Sequence, residues 1–461
     1  MHTRPLFEKI YLTARELDYE IYVVGGFVRD KILGKTVKDI DFVVVGDAMK
    51  FADHLKRALH LKRMVRYPRF GTFMARYYDY MLEFVNAREE SYSEYSRKPV
   101  TRQADLYSDL SRRDFTINTM VMDISPEKYG TIIDVYKGRK DLEKGIIKTP
   151  LDPIQTFNDD PLRMMRAIRF ATRFNFKIAP KTYSAISEAA DRLSIISDER
   201  ITDEFNKILL SERPSIGLKM LDETGLLKQF LPELSVTKGV EQKKEHHHKD
   251  VFYHTLEVVD NIANKTDRLE LRLAALFHDI AKPRTKKFID GTGWTFHGHE
   301  VAGERMTNAI MNRLKYSKEM IKFVKTLVRL HLRPMALVNE EVTDSAIRRL
   351  IFLAGEQIDD LMDLCRADIT SKNPGRVKRY LKNYEMVVEK MKVVEQRDHL
   401  RNFQPPVDGK EIMELFDLKP GPMVGKVKKF VEEAILNGDV PNEHDACLQL
   451  IINHKQELLE K

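Results

Sequence analysis

Asp39 and Asp41 stand two residues apart at the head of an apolar run, DIDFVVV. In a strand, residues i and i+2 face the same way, so the two carboxylates would share one face. That is unfavourable unless a cation neutralises them, and paired carboxylates with substrate phosphates are what Mg²⁺ prefers. Glu83, inside MLEFV, is a candidate third carboxylate from a neighbouring strand. Just upstream, Val23-Val24-Gly25-Gly26 closes a run of strand type, and adjacent glycines let backbone N–H groups come close to a phosphate. The plain alternatives are an exposed strand end for the aspartates and a tight turn for the glycines.

A second constellation is Asp160 and Arg163, three apart in an expected helix and so on one face. Cytosine and adenine each present an amino donor beside a ring-nitrogen acceptor, which a carboxylate next to a guanidinium complements. Uracil and guanine present the opposite pattern and would leave buried polar groups unpaired, at about 1–3 kcal/mol each. A surface i,i+3 ion pair is the alternative. Arg166, Arg169 and Arg173 continue the helix as a basic stripe opposite Met165, Ile168 and Phe170, either a solvated face or a polyanion contact.

The third constellation is His254, His278-Asp279 and Asp368, all in helical contexts. Imidazole with carboxylate suits a first-row divalent metal such as Mn²⁺, Ni²⁺ or Zn²⁺ that activates water. His299 and His331, lying between, are candidates for extra ligands or phosphate contacts. A lone helical histidine is more often structural, His297 above all, and His246, His247 and His248 read as a polar linker.

The elements that must carry these groups fall into two kinds. Residues 1–140 hold short β-branched runs, IYVVGG, DIDFVVVG, GTFMARYY, YMLEFVNA and GTIIDVY, and read as a small α/β sheet domain. From about 141 onward almost no strand pattern remains, and stretches such as PLRMMRAIRFATRF repeat at helical spacing. Residues 88–110 lack clear periodicity. The polar stretch 235–250 and the Pro/Gly-bearing 402–410 are expected module boundaries. Lys and Arg outnumber Asp and Glu by 77 to 70, a formal net charge of +7, which favours a polyanionic partner. The two cysteines, Cys365 and Cys447, exclude a disulfide framework and point to a reducing cytoplasm, and no stretch is apolar enough for a membrane span.

Five motifs, GGFVRD (25–30), LG (33–34), DID (39–41), RRDFTIN (112–118) and DDPLRMMRAIRF (159–170), occur in the order found in class II tRNA nucleotidyltransferases, and the chain resembles that family. ERITDEFNKIL (199–209) and the tail 421–440 are also similar to it; the bacterial poly(A) polymerases share the superfamily. The resemblance implies an α+β protein with a polymerase-beta-like nucleotidyltransferase head (1–140) and a helical neck with a base-reading helix (141–210). A helical body (211–400) including an HD domain at about 246–370, and an RNA-binding tail (401–461), would follow. It implies transfer of C, C and A from CTP and ATP to a tRNA 3′-hydroxyl with loss of pyrophosphate and two Mg²⁺ ions. Asp39 and Asp41 match the family's metal carboxylates, with Glu83 beside them as a catalytic candidate. Arg112, Arg113, Asp114 and Asn118 fall on its sugar-and-triphosphate motif, and Gly25, Gly26 and Arg29, in the matching GGFVRD, are further nucleotide-binding candidates. Asp160 and Arg163 fall on its base-reading pair, with Arg166 and Arg169 as further nucleotide or tRNA contacts. Asp159 stands where glutamate is usual. Residues 88–110 occupy the place of a flexible loop, with Arg88 and Arg97 as its expected contacts.

The order H, HD, D resembles HD phosphohydrolases, and implies either a 2′,3′-cyclic phosphodiesterase and phosphatase or a body that only binds tRNA. The rival to CCA addition is a poly(A) polymerase, in which basic residues commonly adjoin a glycine after the aspartate strand; here FVVVGDAMK has Asp47 after Gly46. A CC-only or A-only enzyme, a phosphohydrolase with an inactive head, and a non-catalytic RNA-binding protein stay open as alternatives.

Overall fold

The computed structural model describes residues 3–93, 96–244, 247–339, 343–398 and 403–460. The chain divides into two compact units, residues 1–232 and 233–461. Among the described residues no helix is long and apolar enough to cross a membrane.

The first unit is built on strands β1 (Glu20–Val24), β2 (Asp39–Val45), β3 (Met64–Tyr67), β4 (Thr72–Tyr77), β5 (Tyr80–Asn86), β8 (Val121–Asp123) and β9 (Ile132–Ile133), ordered β3-β4-β5-β2-β1-β8-β9. A separate antiparallel hairpin joins β6 (Arg88–Ser93) to β7 (Ser96–Gln103). In the main sheet only β2 and β5 run parallel. Their register puts Phe42 beside Phe84, and Phe84 beside Phe73 on β4. The three rings stack at 4.5 Å between centroids. Helices Thr3–Arg15 and Ala48–Ala58 cover this face, Phe7 meeting Phe42 at 5.7 Å and Phe51 meeting Phe84 at 5.6 Å. The next register row, Asp41 beside Glu83, therefore faces the other way. A slip of one residue would bury that row in the aromatic core, so burial of Phe42, Phe73 and Phe84 pins the register that presents the carboxylates.

Helices complete the unit. Leu162–Phe174 packs on Asp198–Leu209 and Pro214–Glu223. The second unit is helical, with Val251–Ala263, Leu269–Phe277, His299–Arg313, Lys318–Leu330 and Ile358–Ala367 clustered together and Pro374–Asp398, Gly409–Phe416, Pro422–Asn437 and His444–Asn453 following in the chain.

Three departures from the sequence expectations have local causes. Residues 88–110 contain the β6–β7 ladder and helix Leu106–Ser111; REESYS and SRKPVTRQ are polar at nearly every position, so no two-residue rhythm betrays the hairpin. Strands also occur after 141: Ile146–Ile147 with Lys177–Ile178, Glu241–Lys244 with His247–Asp250, and Lys287–Ile289 with Gly293–Thr295. All are two to four residues long, below the length at which alternation is visible. Asp47 caps helix Ala48–Ala58, accepting from the Met49 and Lys50 N–H groups at 2.8 and 3.2 Å. Capping explains an aspartate there whichever RNA is extended.

Candidate functional site

β1 ends at Val24, directly opposite Asp41 on β2. The chain then turns at Gly25, whose φ of 74° is natural to glycine and strained for other residues. A Cβ at Gly25 would lie 3.7 Å from Asp41 Oδ2 and 3.5 Å from an Arg113 guanidinium nitrogen. The turn, the Asp41 carboxylate and Arg113 thus converge, and Gly26 opens helix Gly26–Ile32 beside them. Asp39 is exposed, while Asp41 and Glu83 are half-buried. Burial pushes the Asp41 carboxyl up, Arg113 opposes, and the Asp39 charge adds to the rise. Burial likewise raises Glu83, with Asp41 adding to it and Arg88 opposing. Asp41 and Glu83, both pushed up, with Asp39 beside them on one sheet face, fit a hard divalent cation.

Behind this row lies a lattice of arginine–carboxylate pairs. Asp109, fully buried, receives Arg112 on one oxygen at 2.5 Å and Arg113 on the other at 2.9 Å. Its burial alone would raise it, but Arg113 and Arg112 hold it below the usual carboxylate range. Asp114 accepts the Asn118 amide at 2.9 Å on one oxygen and both Nε and Nη2 of Arg166 on the other, at 2.9 and 2.6 Å. Arg169 pairs with buried Glu204 at 2.5 Å. Arg29 is buried, bonded to Asp30 and to Asn118 at 2.7 Å each, with its guanidinium over Phe170 and Phe174. Arg29 and Arg166 tie helix Leu162–Phe174 to helix Gly26–Ile32 and to the Asp114–Asn118 segment, and Arg169 ties it to helix Asp198–Leu209, so these arginines, read from the sequence as nucleotide or tRNA contacts, are held by internal partners. Burial makes pairing obligatory there, since an unpaired buried guanidinium is costly.

Asp160 and Arg163 also depart from one helix face. Asp160 has extended backbone after helix Pro153–Asp159, because Pro161 separates the two helices and the next begins at Leu162. The Asp160 carboxylate accepts the Leu162 N–H at 3.2 Å and meets Arg200 at 3.3 Å. Arg163 does not pair with it: the guanidinium donates to the main-chain oxygens of Arg112 at 2.6 Å and Thr156 at 3.4 Å. Both groups are fixed in direction by their anchors, and the Arg163 anchor is the Arg112 main chain itself. Asp159 holds the last position of its helix. Arg88 bonds the Phe70 carbonyl at 3.0 Å. His246 lies outside the described residues, as do the side chains of Arg97, His247 and His248.

Two carboxylates that sequence reasoning missed, Asp109 and Glu204, organise this region. Asp109 was readable, since YSDLSRR sets it three and four residues before Arg112 and Arg113 on helix Leu106–Ser111. Glu204 was not, because its partner lies 35 residues away.

Asp114 yields a pH prediction. Its burial raises it, yet Arg166, the Asn118 bond and Arg163 win and bring it down to about 2. A carboxyl depressed on folding contributes stability above its unfolded pKa near 4, lost as pH falls towards about 2. This amounts to about 2 kcal/mol at neutral pH. Asp114→Asn should therefore cost stability at pH 7 in urea unfolding, and the gap to the parent should narrow between pH 4 and 2. A gap that does not change with pH would assign Asp114 another role.

In the second unit the predicted ligands come together. His254 Nε2 lies 2.8 Å from Asp368 Oδ1, and His278 Nε2 3.1 Å from Asp279 Oδ2. The other oxygen of Asp279 faces His299 Nε2 at 3.3 Å and His331 Nε2 at 3.8 Å. Outward-turned ring nitrogens are tied down: Nδ1 of His278, His299 and His331 to the carbonyls of Ala275, Phe296 and Val328 at 2.7–2.8 Å, and that of His254 to the Thr370 hydroxyl at 3.0 Å. Bonds of this kind leave Nε2 facing inward, as in metal sites. The Nε2 atoms then oppose each other, 3.4 Å apart in His254/His278 and 3.3 Å in His299/His331. Facing imidazole nitrogens and carboxylates of this kind are a donor set that a divalent cation takes, and the Lys282 ammonium already meets Asp279 at its side. Burial, with His278 beside it, brings His331 down to about 3, which keeps it in the neutral form that binds metal. Two sets of donor atoms within 4.8 Å result, His254/His278/Asp368 and Asp279/His299/His331. Asp39, Asp41 and Glu83 do not form so tight a set among the described residues. His297 is exposed on the wall of the adjoining cavity, and Cys365 is buried, its thiol donating to the His331 carbonyl at 3.2 Å.

Comparison with known proteins agrees with both halves. Residues 21–148 match the Poly A polymerase head domain, 175–237 the probable RNA and SrmB-binding site of polymerase A, and 251–372 the HD domain. An A-adding tRNA nucleotidyltransferase of Deinococcus radiodurans is 33% identical over 75% of this chain and 79% of its own. A CC-adding tRNA nucleotidyltransferase of Thermus thermophilus is 30% identical over 93% and 92%. The structure of the Bacillus stearothermophilus CCA-adding enzyme in complex with CTP shares the fold, with a TM-score of 0.66 at 22% identity over the whole of both chains.

Proposed function

From its membership of the tRNA nucleotidyltransferase/poly(A) polymerase family, to which the chain belongs, we propose that it adds C, C and A without a template to the 3′ end of tRNA, using CTP and ATP. The observation that carries this is the convergence of the Asp41/Glu83 row, the Gly25 turn and Arg113 at one end of the central strands of the sheet. The 3′-hydroxyl oxygen of the RNA bonds to the α-phosphorus and loses its proton to solvent, while the bond from that phosphorus to the bridging oxygen breaks and pyrophosphate leaves. Mg²⁺ ions held by Asp39 and Asp41, with Glu83 adjoining, would neutralise charge on the attacking and leaving oxygens. Arg113, answered only in part by Asp109, faces the triphosphate; Arg112 and Asp109 hold Arg113 and the Arg163 anchor in place.

Base choice belongs to Asp160 and Arg163, each oriented by main-chain bonds rather than by the other. Arg163→Ala is expected to reduce the preference for CTP over UTP by about tenfold or more, the worth of one unpaired buried group. Single-nucleotide incorporation on a tRNA lacking its terminal CCA measures it; an unchanged CTP/UTP ratio would remove Arg163 from base reading.

In the second unit, we infer a phosphohydrolase centre with two divalent positions. His254, His278, Asp368 and one oxygen of Asp279 would hold one ion, and His299, His331 and the other oxygen of Asp279 the second. Bound ions of the Mn²⁺, Ni²⁺ or Zn²⁺ type would lower the pKa of water and polarise a phosphoryl oxygen. Hydrolysis bonds a water oxygen to phosphorus and breaks one ester P–O bond, the released oxygen taking up a proton.

A further inference from the structure

Between Asp53 and Asp79 the chain carries seven lysines and arginines and no acid, with Tyr67 and Phe70 set among the arginines. The middle of this stretch forms β3 and the short 3₁₀ turn Pro68–Phe70, at the outer edge of the sheet. The register carries the carboxylate row out to that edge: Asp41 stands beside Glu83, Glu83 beside Met74, and Met74 beside Val65. Val85, Thr72 and Tyr67 form the next row on the same face, two residues along each strand. Helix Leu106–Ser111 covers this face over β1 and β2, where Leu106 and Leu110 cluster with Val24 and Val43. Over β3 it is open: Val65 is 53% exposed and Tyr67 44%, and Met74 on β4 is half-buried. At about 4.8 Å per strand, Met74 stands roughly 10 Å from Asp41 and Val65 roughly 14 Å. RNA laid across a sheet stacks its bases on side chains of neighbouring strands in this way.

The Tyr67 end of the face adjoins a cavity of about 150 Å³ lined by Arg69, Phe70, Arg88 and Arg102. Arg88 is fixed there: its guanidinium donates to the Phe70 carbonyl at 3.0 Å, and its own carbonyl accepts from Arg112 at 2.9 Å, which joins the cavity to the Asp109 lattice. No carboxylate answers Arg69 or Arg102 among the described residues. Three guanidinium groups around so small a space favour an anion within it. Exposed rings beside a basic groove answer single-stranded RNA, which offers bases to stack and phosphates to pair. A second copy is the other occupant that an exposed edge strand invites. Pairing β3 with itself would set Arg63, Arg66 and Arg69 among their own copies, so charge favours the polyanion.

We propose that the open face of β5, β4 and β3 positions the single-stranded 3′ end of the RNA. Its bases lie on Met74 and Tyr67 and a backbone phosphate enters the arginine cavity, which leads the terminal hydroxyl to the Asp41/Glu83 row. Tyr67, Arg69 and Arg102 are positioning residues in this arrangement. The proposal rests on the transferase reading for what happens at that end but not for the binding.

The test titrates the full chain into a 5′-fluorescein RNA octamer of unstructured sequence ending in ACC, followed by anisotropy over a range of salt. Tyr67→Ala should weaken binding about tenfold, the worth of one stacked base, and Tyr67→Phe should restore it. Arg69→Ala with Arg102→Ala should reduce the slope of log affinity against log salt by about 0.7, the value of one single-strand phosphate. On a tRNA transcript ending in CC, Tyr67→Ala should raise KM for the tRNA about tenfold, with kcat and KM for ATP little changed. All three side chains are exposed, so melting midpoints should hold. Unchanged octamer affinity and unchanged KM for the tRNA in these variants overturn the proposal. A dimer in sedimentation that Val65→Asp dissociates, with octamer affinity unmoved, makes a second copy the occupant and overturns it too. Octamer binding that depends on Tyr67 in a protein that extends no RNA leaves this surface standing and removes the transferase reading. Extension that depends on none of Tyr67, Arg69 and Arg102 removes the surface alone.

Discussion

Replacing Asp39 and Asp41 together by alanine will abolish nucleotide transfer, by roughly a thousandfold or more, because the charge that gathers on the attacking and leaving oxygens is then left without its cations. The same change should not unfold the protein. Asp39 is exposed, and the raised Asp41 carboxyl is a group that folding disfavours in its charged form at neutral pH. Removing it relieves repulsion from Asp39 and Glu83, so the melting midpoint should stay level or rise, and tRNA affinity in a filter-binding assay should persist. Extension that survives the double substitution contradicts the metal role. A collapsed melting midpoint contradicts the reading of these carboxylates as mutually repelling.

The second large effect is expected at Asp279, which offers one oxygen to each donor set. After dialysis against Mn²⁺ and then metal-free buffer, the parent should retain about two ions per chain by elemental analysis. His278→Ala with Asp279→Ala should retain neither and lose all hydrolysis of 2′,3′-cyclic AMP, whereas His299→Ala should keep one ion. Asp279→Asn, which keeps the shape and a partner for Lys282, separates loss of metal from loss of folding. Extension of tRNA should continue in these variants, since the carboxylate row of β2 and β5 belongs to the other compact unit. One retained ion in the parent, unaffected by His299→Ala, would restrict the centre to His254, His278, Asp279 and Asp368.

How much of this was readable from the chain follows the range of the interactions. The two-residue spacing of Asp39 and Asp41 ahead of FVVV contains both the strand and its acidic face, because alternation is a local property, and the structure sets Glu83 beside Asp41. The His–Asp order was similarly open to reading, and helices bring those residues together. Local spacing failed where a proline intervened: Pro161 takes Asp160 out of the helix that carries Arg163. It also failed for the arginines. Arg29 reaches Asn118 across 89 residues and Arg166 reaches Asp114 across 52, so periodicity could show which arginines share a helix face but not that a buried amide and a buried carboxylate claim them. Tyr67 had no signal in its neighbours, since a four-residue strand is too short to declare itself.

The most direct test of the account is to incubate the protein with a tRNA transcript lacking its terminal CCA, with CTP and ATP together and each alone, and to sequence the 3′ ends. Addition of C, C and A, stopping there, with two C residues from CTP alone, is the predicted result. Long adenosine tracts, products that stop after CC in the presence of both nucleotides, or a requirement for an end already carrying CC would contradict it.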